Sequence, residues 1–451
     1  MNLQDKFRIK NIDDKTVFIN ILGAFIVKGF AFFITLYTLP AYISYFNNNE
    51  VLGLWFTILS LLNWILNFDL GIGNGLRNYL SESIALNNKD ETKKYISSAY
   101  ISIGVIVILS CIAFSLIAKH IDFNTLLNID TDIVSSKALW ISAIIVFVGV
   151  MLQFWFKLIS SILYALQLSS LNNFLVLCTN VLILLYVIVA PSGDNDANII
   201  EMSIVHAIAV LIPLVIASLY VFKKHLQYAV PNIKYFKMSY MHKVLNLGGL
   251  FFIIQIAYMI IMSTNEIIIT RTSSNADNIE YQAYYKLFSL GSTIFALTLT
   301  PIWSIVTKAK AQQNIKWIQK IYYKFIGLAF VFSLMEVVII FCTRPLMNIW
   351  LGENVASSID INMYTSVLFA IFASAMMFVS VLSSIANGLG NLKTQFWCYS
   401  IGATIKIPLS ILFINACNEW HGVMIANIIC MLLYCLVEPF VLNRYFKNQH
   451  N

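Results

Sequence analysis

The sequence predicts an all-α polytopic membrane protein that crosses the bilayer twelve times. Three observations carry this prediction. Hydrophobic residues make up 59% and charged residues 11% of a 451-residue chain, a balance that no soluble domain of this length needs. Apolar runs near the ~20 residues that span a hydrocarbon core recur from one end of the chain to the other. Lysine and arginine collect on alternate connections between those runs.

The runs fall at about 17–39, 51–68, 96–118, 138–160, 171–191, 199–222, 244–269, 283–305, 321–342, 363–387, 395–416 and 420–442. Residues 1–16 are polar, and the first apolar run is too long for a cleaved signal, so it is expected to stay as a span. The stretch Phe68–Tyr95 joins the second and third runs. Gly71, Gly73 and Gly75 have no Cβ and permit close backbone approach. Leu76, Tyr79, Leu80 and Ile84 then recur at helical spacing, which predicts a short helix at the membrane surface. Asn88, with Glu91 three residues on, reads as an N-cap with its reciprocal partner, opening a helix that carries Lys93 and Lys94 into the next span. A solvated cytoplasmic turn accounts for the same residues. A phosphate-gripping loop does not, because no Gly-Lys-Ser/Thr closes the glycine run.

With the N-terminus inside, 22 of the 29 lysines and arginines lie on inside segments and four (Lys119, Lys137, Arg271, Arg344) on outside loops. Lys28, Lys286 and Lys406 lie within spans. Both termini are therefore expected in the cytoplasm. The net charge of +7 reflects topology and anionic lipid rather than nucleic acid. The seven cysteines form no Cys-x-x-Cys, the six histidines no His-Glu-x-x-His, and no Gly-x-Ser-x-Gly occurs. No metal, cofactor or enzymatic chemistry is expected.

The two halves of the chain match weakly but at one offset. Asn20 and Gly23 match Asn246 and Gly249; Ser160-Ser161-Ile162 matches Ser383-Ser384-Ile385; Ala85, Asn88 and Lys94 match Ala311, Asn314 and Lys320. The offsets are all 223 to 226 residues, about half the chain. Two domains, 1–230 and 231–451, are expected, with the break near Tyr228–Met241 around Pro231. Six spans per half gives both repeats one orientation, related by an axis along the membrane normal, with a substrate site between them.

A family resemblance rests on an ordered series of motifs. In the first half these are Asp69-x-Gly71, Asn74-x-x-Arg77 and Ala85-x-x-x-x-Asp90. In the second half they are Leu250-Phe251-Phe252-Ile253-Ile254-Gln255-Ile256, the run from Tyr281 to Phe288, Pro301-x-Trp303-Ser304 with Thr307-x-Ala309, and Lys316-Trp317-Ile318. Together they resemble the O-antigen and polysaccharide flippases of the multidrug/oligosaccharidyl-lipid/polysaccharide exporter superfamily. The sequence departs from that pattern in the Asn265-Glu266 context, in Thr272-Ser273-Ser274-Asn275 where the family has a glycine, and at Asn314 where it has Asp.

The resemblance implies two six-helix bundles around a central cavity that opens alternately to each side. It implies movement of undecaprenyl-pyrophosphate-linked oligosaccharide, an O-antigen or lipopolysaccharide repeat unit, from the cytoplasmic to the periplasmic leaflet of a bacterial inner membrane. A polysaccharide polymerase and a chain-length regulator are the implied partners beside the lipid bilayer.

Such a task needs cations for pyrophosphate. Lys28 and Lys406 sit mid-span, where a lysine costs ~2.5–3.5 kcal/mol, so each is expected to face water or an acid. A substrate contact and a structural ion pair both satisfy this. Lys157, in the inner half of the fourth span, is a substrate contact or an interfacial anchor. Lys286 is a substrate contact or the salt-bridge partner of Glu266. Arg77 meets either the substrate pyrophosphate or the phosphate of ordinary lipid. Of the membrane acids Asp69, Glu336 and Glu438, Glu336 is the foremost candidate for proton or cation coupling, with a structural pairing as its alternative and Asp69 and Glu266 beside it. Amides such as Asn172 and Gln395 either meet sugar hydroxyls or join helices. The competing reading is a cation-coupled multidrug antiporter of the same superfamily, which calls for an acid in the first half where Lys28 stands.

Overall fold

A computed structural model describes residues 23–451 apart from 24–25, 28, 32–33, 35–36, 39, 68–70, 128, 191–192, 274, 352–358, 418 and 450–451. The described residues are helical and form no strand. In chain order the helices are α1 Asn49–Asn67, α2 Ile72–Ala85, α3 Lys89–Ala118, α4 Phe123–Leu127, α5 Ser136–Phe156, α6 Leu158–Ala165, α7 Ser169–Val189 and α8 Asn195–Lys224. They continue as α9 Met238–Ser263, α10 Asn265–Thr272, α11 Asn275–Ala311, α12 Ile315–Leu351, α13 Met363–Leu389, α14 Lys393–Cys417 and α15 Gly422–Asn448.

Ten helical stretches among the described residues are long and apolar enough to cross a membrane. They correspond to the third through twelfth expected runs. α1 overlaps the second run, Val51–Phe68. The first run lies largely outside the described residues.

The chain forms two compact units, Asp14–Gly249 and Leu250–Asn451. In the first, α5 packs on α8 and α3, and α2 packs on α6. One apolar core gathers Leu76, Leu80, Ile96, Ile159, Ile162 and Val221. A second surrounds Trp55 and Phe46. In the second unit α13 packs against α11, α12 and α15, and α14 pairs with α15. Its core includes Tyr284, Phe288, Phe369 and Val423.

α2 is neither a solvated turn nor a helix with a wet polar face. Arg77, Asn78, Ser81 and Ser83 are buried along with Leu76 and Leu80, because neighbouring helices cover both sides of it. Gly71 starts the helix with φ +64°, the left-handed region that a residue without Cβ enters at no steric cost. Asn88 caps α3 by accepting from the Glu91 N–H at 3.2 Å, as its spacing predicts. The reciprocal half is absent: the Asn88 N–H donates to the Ser83 carbonyl at 2.8 Å. The preceding helix end already supplies that acceptor.

The basic segment after α8 is strapped to the N-terminal half of α3. Ser98 Oγ donates to the Lys237 carbonyl at 3.1 Å and accepts from its N–H at 3.0 Å, and Ser97 Oγ accepts from the Asn232 N–H at 3.1 Å. Leaving buried partners unsatisfied costs ~1–3 kcal/mol. Ser98→Ala should therefore speed amide exchange over residues 232–237 by about tenfold or more at normal protein level. Unchanged exchange would assign the strap instead to the lysines stacked on its tyrosines, such as Lys93 over Tyr235 at 5.2 Å.

Candidate functional site

The first unit contains a cavity of about 370 Å³ between α2, α3 and the α5–α6 junction. Local geometry explains who lines it. The first i→i−4 bond of α2 runs from the Gly75 N–H to the Gly71 carbonyl at 3.0 Å, so residues 72–74 form its first turn. Helical spacing puts Asn74 and Arg77 on one face, and both line the cavity. Arg77 is 5% exposed, with its guanidinium carbon 4.4 Å from the centroid of the Tyr164 ring. Burial pushes its pKa down to about 10, against a smaller opposing effect of Tyr164, so it remains a cation at neutral pH.

Lys157 reaches the same cavity through a break in its span. α5 ends at Phe156 and α6 begins at Leu158, with the Lys157 N–H on the Gln153 carbonyl at 2.7 Å and the Ser160 N–H on the Lys157 carbonyl at 2.9 Å. Ser110, Ser160, Ser161 and Tyr164 complete the polar lining, and among the described residues no Asp or Glu lines the cavity. Arg77 and Lys157 thus line one cavity.

The other candidates lie elsewhere. Lys406 is wholly buried in the second unit, and its Nζ donates to the Val423 carbonyl of α15 at 2.8 Å. The expectation that it faces water or an acid is corrected in this conformation, because the adjacent helix offers a backbone acceptor within reach of the stem. Glu336 is 1% exposed, its carboxylate lies against Gly291, and its Oε2 has no hydrogen-bond partner among the described residues. It is therefore not the counter-ion of Lys406. Lys286 is exposed and does not bridge to Glu266, whose carboxylate accepts from Gln282 on α11 instead. The ion pairs among the described residues are Lys94–Asp90 and His421–Glu419. Lys28 and Asp69 lie outside the described residues.

Of the amides, Asn172 joins α7 to α6 by donating to the Tyr164 hydroxyl at 2.9 Å, and Gln395 joins α14 to α13 by donating to Ser383 Oγ at 3.1 Å. The sequence offered no signal for Tyr164 as the partner of Arg77, since the two lie on helices far apart in the chain. Glu438, fully buried with neither carboxylate oxygen hydrogen-bonded among the described residues, was legible only as one acid in an apolar run.

No family model matches the chain. In sequence it is 21% identical over 391 residues to a candidate O-antigen export protein of Yersinia pseudotuberculosis, covering 84% of each chain. It is 24% identical over 402 residues to a candidate O-antigen transporter of Salmonella typhi, covering 87% of this chain and 86% of the relative. In structure it is similar to MATE in the straight conformation, with a TM-score of 0.73 at 14% identity over 97% of this chain and 96% of the other. An outward-facing multidrug resistance MATE family transporter of the MOP superfamily superposes with a TM-score of 0.74 at 14% identity, with the same coverage. The bent form of a Vibrio cholerae MATE transporter gives 0.72 at 13% identity over 96% and 99% of the two chains. At such identity the structural likeness establishes the fold alone, and that fold is the MATE transporter fold.

Proposed function

We propose that this MATE-fold membrane protein is a flippase for lipid-linked oligosaccharide. It would carry undecaprenyl-pyrophosphate-linked repeat units from the cytoplasmic to the periplasmic leaflet of a bacterial inner membrane by alternating access. The observation that carries this reading is the match to proteins named for O-antigen export, which spans 84% and 87% of the chain. The site chemistry agrees: the described lining holds two cations and no acid, which suits a pyrophosphate better than a cationic drug. Related structures are solved in straight, bent and outward-facing states, which supports alternation.

The 22 inside against four outside basic residues support a topology with both termini in the cytoplasm. The working halves are 1–230 and 231–451. Arg77 and Lys157 meet the anion, with Lys28, Lys286 and Lys406 as further contacts along the path. Glu336, Asp69 and Glu266 are the acids available for ion coupling. The protein performs transport rather than bond chemistry, and a polymerase with its chain-length regulator consumes the product.

Deletion of this protein in a strain without a substitute flippase tests the reading. Polymerised surface polysaccharide should disappear while lipid-linked repeat units accumulate on the inner leaflet. Normal surface polymer overturns it, and a gain in susceptibility to cationic drugs in its place favours the antiporter.

A further inference from the structure

The segment that joins α8 to α9 presents a surface apart from the cavity and the core. From Leu219 to Gly249 the sequence holds five lysines, two histidines and no Asp or Glu, so the whole stretch is cationic. Its inner side is anchored. Leu226, Ala229 and Met241 are buried in the core of the first unit, and Ser97 and Ser98 of α3 hold the backbone at Asn232 and Lys237. All five lysines, Lys223, Lys224, Lys234, Lys237 and Lys243, are exposed.

Apolar side chains are exposed among them: Val230 is 50%, Ile233 70% and Met238 52% exposed. One exposed apolar residue needs no explanation, but three interleaved with lysines along one short stretch do. The start of α3 adds charge, with Lys89, Lys93 and Lys94 over the rings of Tyr228, Tyr235 and Tyr240 at 5.3, 5.2 and 5.7 Å. The segment also lies at the level of a membrane surface, because membrane-spanning stretches adjoin it on both sides, Asn195–Lys224 and Met238–Ile269. Tyr220, 42% exposed and one turn before Lys224, is the aromatic residue expected at headgroup level. A soluble polyanion or an acidic protein segment would neutralise the lysines and leave the apolar side chains in water. An uncharged lipid would cover the apolar side chains and offer the lysines no net opposite charge. An anionic phospholipid supplies both, and long lysine stems bridge the hydrocarbon edge and the phosphate.

We propose that residues 223–243 form a docking surface for anionic phospholipid, with the five lysines at the phosphates and Val230, Ile233 and Met238 in the upper edge of the hydrocarbon. The occupant is the surrounding membrane lipid, of the phosphatidylglycerol class, and not the transported molecule. The surface lies within the first unit and does not depend on the flippase reading. Held there, the segment fixes the depth at which α8 ends and α9 begins.

The test is hydrogen–deuterium exchange of the purified full-length protein in nanodiscs of phosphatidylcholine alone and of phosphatidylcholine mixed with phosphatidylglycerol. Phosphatidylglycerol should slow exchange across 225–243 by about threefold or more, and leave residues 129–135, beyond the other end of α3, unchanged. The double variant Lys234→Gln/Lys237→Gln should lose most of that slowing, and so should wild type at high salt, since both weaken attraction to an anionic surface. Ile233→Asp, which puts a carboxylate at the most exposed of the three apolar positions, should lose it too. These side chains are exposed, so both variants should melt with wild type in phosphatidylcholine. Equal exchange in the two lipids, or slowing that persists in both variants, overturns the proposal. Slowing that extends equally to 129–135 is general stabilisation and overturns it as well. In phosphatidylcholine discs, polyglutamate that slows 225–243 as much as phosphatidylglycerol does makes this a surface for an acidic protein. Sodium pyrophosphate doing the same makes it a soluble-anion site, and either result removes the lipid. Normal surface polymer in the deletion strain would overturn the flippase reading and leave this surface standing.

Discussion

Gly75→Leu should keep the protein from accumulating in the membrane. An ideal Cβ at Gly75 would lie 2.5 Å from the Val244 carbonyl oxygen and 3.0 Å from the Gly248 nitrogen. From the other side, a Cβ at Gly248 would lie 2.9 Å from the Gly71 carbonyl oxygen. Two helix backbones, α2 and the first half of α9, meet here with no side chain between them. The obstructing atoms are main chain, so a rotamer change gives no relief. Inserting one methyl into such a contact costs ~1–3 kcal/mol, and leucine adds three more carbons. Against a total stability of ~5–15 kcal/mol, that is enough to shift most of the protein to the unfolded state.

The same crossing holds the first turn of α2, and with it Asn74 and Arg77, at the cavity. Even Gly75→Ala should lower the melting temperature. Gly249→Ala is the internal control, because nothing lies within 4 Å of its added Cβ. Immunoblots of the membrane fraction and thermal unfolding in detergent measure all three variants. Wild-type abundance of Gly75→Leu would show that the backbones can part.

The sequence made the need for this contact readable but not its partner. Alternate glycines after an apolar run predict close approach, and Gly71 and Gly75 supply it. That the approaching backbone belongs to Val244 and Gly248 depends on tertiary packing, for which local spacing carries no code. Helix starts were more legible: Asn88 caps α3 because its side chain competes for an N–H three residues away, a purely local contest. Apolar runs likewise marked the spans, since chain length against bilayer thickness is also a local property.

Lys157 shows the limit. Its level in the membrane was readable from its position in the run, but the break that turns it into the cavity contains no proline or glycine to announce it. Position in an apolar run gives the depth of a charge, and depth does not say which neighbour a long side chain reaches. Lys406, read as a substrate contact or a member of an ion pair, and Glu336, read as a candidate for ion coupling, are buried against a carbonyl and a glycine.

For Lys406, alanine and methionine should give different answers. The side chain is fully buried between α14 and α15, with its ammonium on the Val423 carbonyl and its own carbonyl accepting from Ser410 Oγ at 2.8 Å. Lys406→Ala removes the four-carbon stem and leaves a void, which costs ~2–5 kcal/mol for a large-to-small core change. It also removes a charged hydrogen bond worth ~1.5–3 kcal/mol. The amount of protein in the membrane should therefore fall severalfold. Lys406→Met keeps the stem and sheds the cost of holding an ammonium away from water, two effects that offset the lost bond. Its abundance should return to within about twofold of wild type.

Export then separates the two roles of the charge. If the ammonium leaves Val423 to meet a passing pyrophosphate, Lys406→Met should export at least tenfold less surface polymer at that restored abundance, and Lys406→Arg should retain more. Quantitative blots of membrane protein and of surface polysaccharide from one set of cultures read both effects. Full export by Lys406→Met at wild-type abundance would take Lys406 off the substrate path and leave it as a tie between α14 and α15.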